Sequence, residues 1–142
     1  MKKIIWFFIG SACVLLLSWS ATSASAASDK ARVARGKYLV EGLGLCGDCH
    51  TPTNEKGEPL PDKKLAGAPI LFKPTVPIPA WADKAPNIAG LPGWKSEDAV
   101  KFLMTGVAYN DLHARPPMPP YRMNQDDAEA VVAYLKSLAP AK

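Results

Sequence analysis

Histidine and cysteine are scarce in this 142-residue chain, which has two histidines, His50 and His113, and three cysteines, Cys13, Cys46 and Cys49. Structural zinc sites take two close-spaced ligand pairs, and His113 has no partner nearby, so a Cys₂His₂ site from Cys46, Cys49, His50 and His113 is disfavoured. A strong charge of either sign is also missing. Lys and Arg number 17 against 13 Asp and Glu, a formal +4 that falls to +2 without Lys2 and Lys3. There is no basic block and no basic run interleaved with aromatics, which excludes a nucleic-acid partner. Lys56, Lys63, Lys64, Lys73 and Lys84 are scattered, as on a solvated surface. Sustained strand alternation and internal repeats are absent too, and without a βαβ frame the pair Cys46/Cys49 does not read as a thioredoxin-like redox centre.

What is present begins with an export signature. Met1-Lys2-Lys3 is a charged start, Ile4 to Trp19 is an apolar run, and Ser20 to Ser28 is a small-residue tail containing Ala24-Ser25-Ala26. This predicts a signal peptide over 1–26 with cleavage near Ala26/Ala27, and a single domain over 27–142. The alternative is retention as a membrane anchor, since the sixteen residues from Ile4 to Trp19 approach the roughly 20 that span a bilayer. Lipidation at Cys13 is a poor fit, because that residue lies within the apolar run. Removal of the signal leaves Cys46 and Cys49 as the only thiols, in an oxidising compartment where a bare pair tends to be oxidised.

These thiols lie in Cys46-Gly47-Asp48-Cys49-His50. On one helical turn, residues three apart share a face, so both sulfurs reach the two vinyl groups of one porphyrin while His50 projects toward the iron. Cys-x-x-Cys-His is the spacing of covalent haem attachment. The expected cofactor is therefore one haem c, held by thioethers to Cys46 and Cys49 and ligated by neutral His50.

Three helices are predicted around it. The first spans about Asp29 to Leu43, with Asp29 as cap, Ala31, Val33, Ala34, Tyr38 and Leu39 as apolar positions, and Gly42/Gly44 as terminator. A second spans Ser96 to Thr105, capped by Ser96, with Val100, Leu103, Met104 and Val107 at helical spacing. The third is capped by Asn124, carries the stripe Ala128, Val131, Val132, Leu135 and Leu138, and stops at Pro140. Between motif and second helix, Thr51 to Gly93 holds nine of the fourteen prolines and reads as ordered loop with a short helical turn. Loops of that length are uncommon unless functional or wrapped on a surface such as a haem face. The fold class is all-α, with three main helices and Pro/Gly-rich loops around one covalent haem.

The sixth iron position decides the chemistry, since a closed site carries electrons and an open one binds or activates small molecules. Candidates are Met118, Met123, Met104 and His113. Met118 stands out in Arg115-Pro116-Pro117-Met118-Pro119-Pro120-Tyr121, where four prolines fix φ and hold the chain extended. Met104 sits on an apolar helix stripe, Met123 is a fallback, and His113 lies in a polar turn after Tyr109, Asn110 and Asp111. Tyr121, Trp94 and Arg115 are candidates for pocket and propionate contacts.

With these residues in place the chain resembles the class I c-type cytochromes along nearly the whole exported sequence: Gly36 and Tyr38, Cys46 to His50, Leu65-Ala66-Gly67, Pro86-Asn87-Ile88, the Met118 loop and Ala133-Tyr134-Leu135-Lys136-Ser137-Leu138. The resemblance implies that the first and last helices cross near the haem, with Gly36 close to Tyr134. Gly36-Lys37-Tyr38-Leu39-Val40, Cys49-His50-Thr51-Pro52, Pro117-Met118-Pro119 and Ala130 to Leu135 are similar to the haem c domains that serve periplasmic dehydrogenases. That similarity implies a periplasmic electron carrier, free or as a dehydrogenase subunit, without catalytic residues of its own. Its partners would be a dehydrogenase, a terminal oxidase or another cytochrome, with membrane contact only if the N-terminal segment is retained. The alternative is a haem enzyme or gas sensor with a labile sixth ligand. In such domains a backbone carbonyl orients the ligand histidine; here it is expected near Pro61 to Lys63.

Overall fold

The computed structural model describes residues 26–138. The apolar run of the predicted signal, and Pro140, lie outside the described residues. The chain divides between Ala31 and Arg32. Residues 26–31 are helical, and the core and the cavity both belong to the unit from Arg32 onward.

Helix α1 covers residues 26–38. It is already helical at residue 26, so Asp29 is an interior position rather than the expected cap. Its end also differs from a simple glycine stop. The backbone widens into a π turn, Leu39–Leu43, closed by the Gly44 N–H on the Leu39 carbonyl at 2.7 Å. A Cβ at Gly44 would sit 2.9 Å from that carbonyl oxygen, so glycine is what admits the wide closure. Leu39 and Val40 are buried, whereas Tyr38, expected on the apolar face, points outward with the Arg35 guanidinium 5.6 Å from its ring centre.

The haem motif forms α2, Cys46–His50, entered through Leu45 in the left-handed region at φ 47°. The long loop after it is ordered by short-range bonds. Asn54 Oδ1 accepts from the backbone N–H groups of Lys56 and Glu58, Pro61–Lys63 make one 3-10 turn, and Thr51 Oγ1 accepts from Leu65 N–H at 3.0 Å. Two residues on each side form the sheet, β1 (Ala68–Pro69) antiparallel to β2 (Lys84–Ala85), with Ala68 opposite Ala85.

Helix α3 is Ser96–Thr105. Ser96 is its first residue rather than its cap; that position is Lys95, which makes no side-chain cap, while Glu97 and Asp98 occupy the first turn. Gly106 at φ 75° ends it, so Val107 lies beyond the helix and bridges to His113. Helix α4, Gln125–Ser137, follows the expected pattern: Asn124 Oδ1 accepts from Asp127 N–H at 2.8 Å, and Ala128, Val131, Val132 and Leu135 are buried.

The core joins Leu39, Val40, Leu65, Ala89, Leu91, Ala99, Val131, Val132 and Leu135. Each fully buried Leu or Val contributes roughly 1.5–3 kcal/mol. Helices α3 and α4 pack together, and α1 meets α4 at Gly36. A Cβ there would lie 1.9 Å from the Ala130 carbonyl oxygen and 2.8 Å from Tyr134 Cβ, so the crossing requires a bare Cα. Among the described residues no helix is long and apolar enough to cross a membrane.

Candidate functional site

A cavity of about 520 Å³ opens between α2, the Pro86–Leu91 segment, α3, α4 and the loops that connect α3 to α4. That volume lies in the range of sites for small molecules and cofactors. Cys46, Cys49, His50 and Met118, predicted from separate parts of the sequence, all reach its wall. Much of the remainder is apolar, including Leu39, Ile88, Leu103, Val131 and Leu135.

His50 is the most constrained of these. It is 6% exposed, and its Nδ1 lies 2.7 Å from the Pro86 carbonyl oxygen. A carbonyl only accepts, so Nδ1 carries the proton and Nε2 keeps its lone pair for another partner. Burial lowers the imidazole pKa, outweighing the opposite effect of the Pro86 hydrogen bond, and so favours the neutral, ligating form.

Pro86 corrects the expectation that the orienting carbonyl comes from Pro61 to Lys63. That segment curls into its own 3-10 turn, and the Lys63 carbonyl accepts from Ala66 N–H. The His50 carbonyl instead receives Gly67 N–H at 2.7 Å. Gly67 is at φ 89°, and a Cβ there would lie 2.7 Å from Asn87 N and 2.9 Å from Ala85 O. The missing side chain lets the strand carrying Pro86 close over the histidine.

Cys46 and Cys49 are half-buried and free of disulfide. Three residues apart on α2, they share a face. Burial pushes the Cys46 thiol up. Beside it, Tyr121 donates from its hydroxyl to the Gly44 carbonyl at 2.8 Å, and burial, followed by the influence of Cys46, pushes that phenol up to about 12.

Met118 is half-buried in its proline loop, with its N–H on the Arg115 carbonyl at 3.0 Å. Met123 also reaches the wall, whereas Met104 does not line the cavity. His113 stands exposed at the rim. Trp94 forms part of the wall and packs against Phe102 at a tilt and against Tyr109 edge to face, at 5.5 and 5.1 Å between ring centres. Arg115, expected near a propionate, directs Nε and one terminal nitrogen to the Ala80 and Trp81 carbonyls, both at 2.9 Å. It thereby ties the 70–82 strap to the methionine loop. Among the described residues no three of His, Cys, Asp and Glu group as a metal site.

The Cytochrome c family model matches residues 33–139, nearly all of this architecture. The chain belongs to the cytochrome c family. Similar proteins include the cytochrome c subunit of a quinone-dependent alcohol dehydrogenase from Gluconacetobacter polyoxogenes, 34% identical over 120 residues, or 76% of this chain and 25% of that protein. The gluconate 2-dehydrogenase cytochrome c subunit of Pantoea cypripedii is 35% identical over 124 residues, 80% of this chain and 27% of the relative. The fructose dehydrogenase cytochrome subunit of Gluconobacter japonicus is 36% identical over 121 residues, covering 76% and 22%. The chain thus spans about a quarter of the length of these relatives.

Haem c is the cofactor of this cytochrome. The cavity suits that group: an apolar enclosure, two free thiols on one helical face, a neutral buried imidazole with Nε2 uncommitted, and a thioether on a stiff loop. The motif points to Cys46, Cys49 and His50 and the proline loop to Met118, and all four line the cavity. Pro86 and Gly44 escape sequence reasoning as partners because each acts through its backbone carbonyl, which carries no side-chain signal.

Proposed function

We propose that this cytochrome is an exported one-haem carrier that moves single electrons between a dehydrogenase and a further redox protein, without substrate turnover of its own. In this reading Cys46 and Cys49 would form the thioethers, and His50 Nε2 and Met118 Sδ would hold the iron. Bound haem supplies a one-electron Fe(III)/Fe(II) couple. The chain's own work is positional: Pro86 fixes the imidazole, the prolines around Met118 restrict the thioether, and the apolar wall excludes water, which together set the potential. The observation that carries the proposal is that a buried His50 with a fixed tautomer and a loop-borne Met118 share one cavity.

The dehydrogenase partner is supported by the relatives, which are named as cytochrome subunits of alcohol, gluconate and fructose dehydrogenases. Export is supported by Met1-Lys2-Lys3, the apolar run and Ala24-Ser25-Ala26. The optical spectrum of the oxidised protein tests the ligand pair. A low-spin spectrum with a long-wavelength methionine-to-iron band is expected, and Met118→Ala should abolish that band. A high-spin wild-type spectrum would instead mean an open iron and favour a haem enzyme or gas sensor.

A further inference from the structure

We propose that Tyr121 is the positioning residue that latches the Met118 loop over the cavity, by donating its hydroxyl to the Gly44 carbonyl beside the haem-attachment turn. This rests on the reading of Met118 as axial ligand.

The loop is secured unevenly. On its N-terminal side, Ala114 N–H bonds the Gly106 carbonyl at 2.9 Å, Ala82 N–H bonds the Pro116 carbonyl at 2.7 Å, and Arg115 reaches the strap carbonyls. Its C-terminal end is fixed where Met123 N–H meets the Leu103 carbonyl at 3.2 Å. Between Met118 and Met123 the backbone has little to offer, because Pro119 and Pro120 have no N–H. Among the described residues no backbone–backbone hydrogen bond holds segment 119–122, and the Tyr121 hydroxyl ties it to the Gly44 carbonyl.

That bond lands where it can couple both sides of the cofactor. Gly44 closes the π turn on Leu39 and stands two residues before Cys46. A Cβ on Gly44 would be 3.4 Å from Cys46 Sγ and 3.5 Å from the Tyr121 hydroxyl oxygen, so phenol, sulfur and glycine pack together. A larger residue at 44 would contest the space that the phenol and Cys46 Sγ occupy. The latch therefore joins the loop bearing the proposed distal ligand to the turn bearing the proposed thioethers. Its loss should ease methionine detachment without opening the core.

Tyr121→Phe keeps the ring and removes the hydroxyl. The test is displacement of the methionine-to-iron band by added imidazole at neutral pH, with thermal unfolding measured in parallel and Tyr38→Phe, on the exposed face of α1, as control. One neutral hydrogen bond corresponds to about a three- to tenfold change in an equilibrium, so Tyr121→Phe should release Met118 at about three- to tenfold less imidazole. Tyr38→Phe should match wild type. A shift in unfolding temperature with unchanged imidazole displacement would show a merely structural role and overturn the proposal. A wild-type Tyr121 hydroxyl that exchanges freely with water by NMR would overturn it as well, even if the variant failed to fold. A wild-type protein with no methionine band would instead overturn the ligand reading, and the latch with it.

Discussion

His50 Nδ1 and the Pro86 carbonyl oxygen, 36 residues apart in sequence, lie 2.7 Å from each other inside the core. This contact decides the tautomer and orientation of the imidazole, and it exists because Gly67 admits the Ala85–Asn87 backbone against His50. Gly67→Ala should therefore be costly twice over, through a strained φ and through a Cβ within 2.7 Å of Asn87 N. A loss of about 2–4 kcal/mol in denaturant unfolding of the haem-loaded protein is expected. Wild-type stability in that variant would show the strand position to be independent of the glycine.

Gly36 predicts a second steric effect. Its added Cβ would meet backbone, the Ala130 carbonyl at 1.9 Å, which cannot rotate away. Gly36→Ala should destabilise the protein by about 3 kcal/mol or more, measured by urea unfolding. Gly57→Ala is the comparison: φ is 80° there but nothing lies within 4 Å, so only about 1 kcal/mol of backbone strain is expected.

Glu41 predicts a pH effect. It accepts from Tyr134 Oη and from Lys64 Nζ, the latter at 2.6 Å, so the π turn, the post-haem loop and α4 meet on one carboxylate. Burial raises its pKa, but the Lys64 and Tyr134 hydrogen bonds outweigh this and leave it below the ordinary carboxylate value. A depressed folded pKa gives stability that is present above the unfolded value and lost as pH falls through the folded one. Thermal midpoints should therefore drop on acidification below about pH 4.5, and Glu41→Gln should flatten that part of the profile. An identical acid limb in both proteins would show that Glu41 plays no part in it.

How much of the fold and site is legible in the sequence depends on the range of the interaction. The turn at Cys46 to His50 and helix α4 are local: a fixed spacing in one, a cap at Asn124 with a 3.6-residue stripe in the other. Where a backbone from elsewhere intervenes, residue patterns carry no sign of it. The sequence points to Pro61 to Lys63 for the partner of His50, and the partner is Pro86, because Gly67 admits the Ala85–Asn87 backbone beside the imidazole. The glycines after α1 read as a stop, whereas Gly44 permits a wider turn instead. Arg115 reads as a cofactor contact, but the carbonyls of Ala80 and Trp81 claim it.

Intact mass of the exported protein under denaturing conditions should equal the chain from about Ala27 plus one haem. A chain carrying Cys46 and Cys49 as thiols or as a disulfide would contradict covalent attachment, and a retained N-terminus would favour the anchored form.

A redox titration of the wild-type protein, followed by its optical spectrum, bears on whether the iron site is closed, with no variant needed. A single one-electron transition is predicted, six-coordinate and low-spin in both states, with the methionine-to-iron band present in the oxidised form. A high-spin ferric spectrum, or one altered by stoichiometric peroxide, would show an open iron and contradict the assignment of His50 and Met118 as a closed electron-transfer pair.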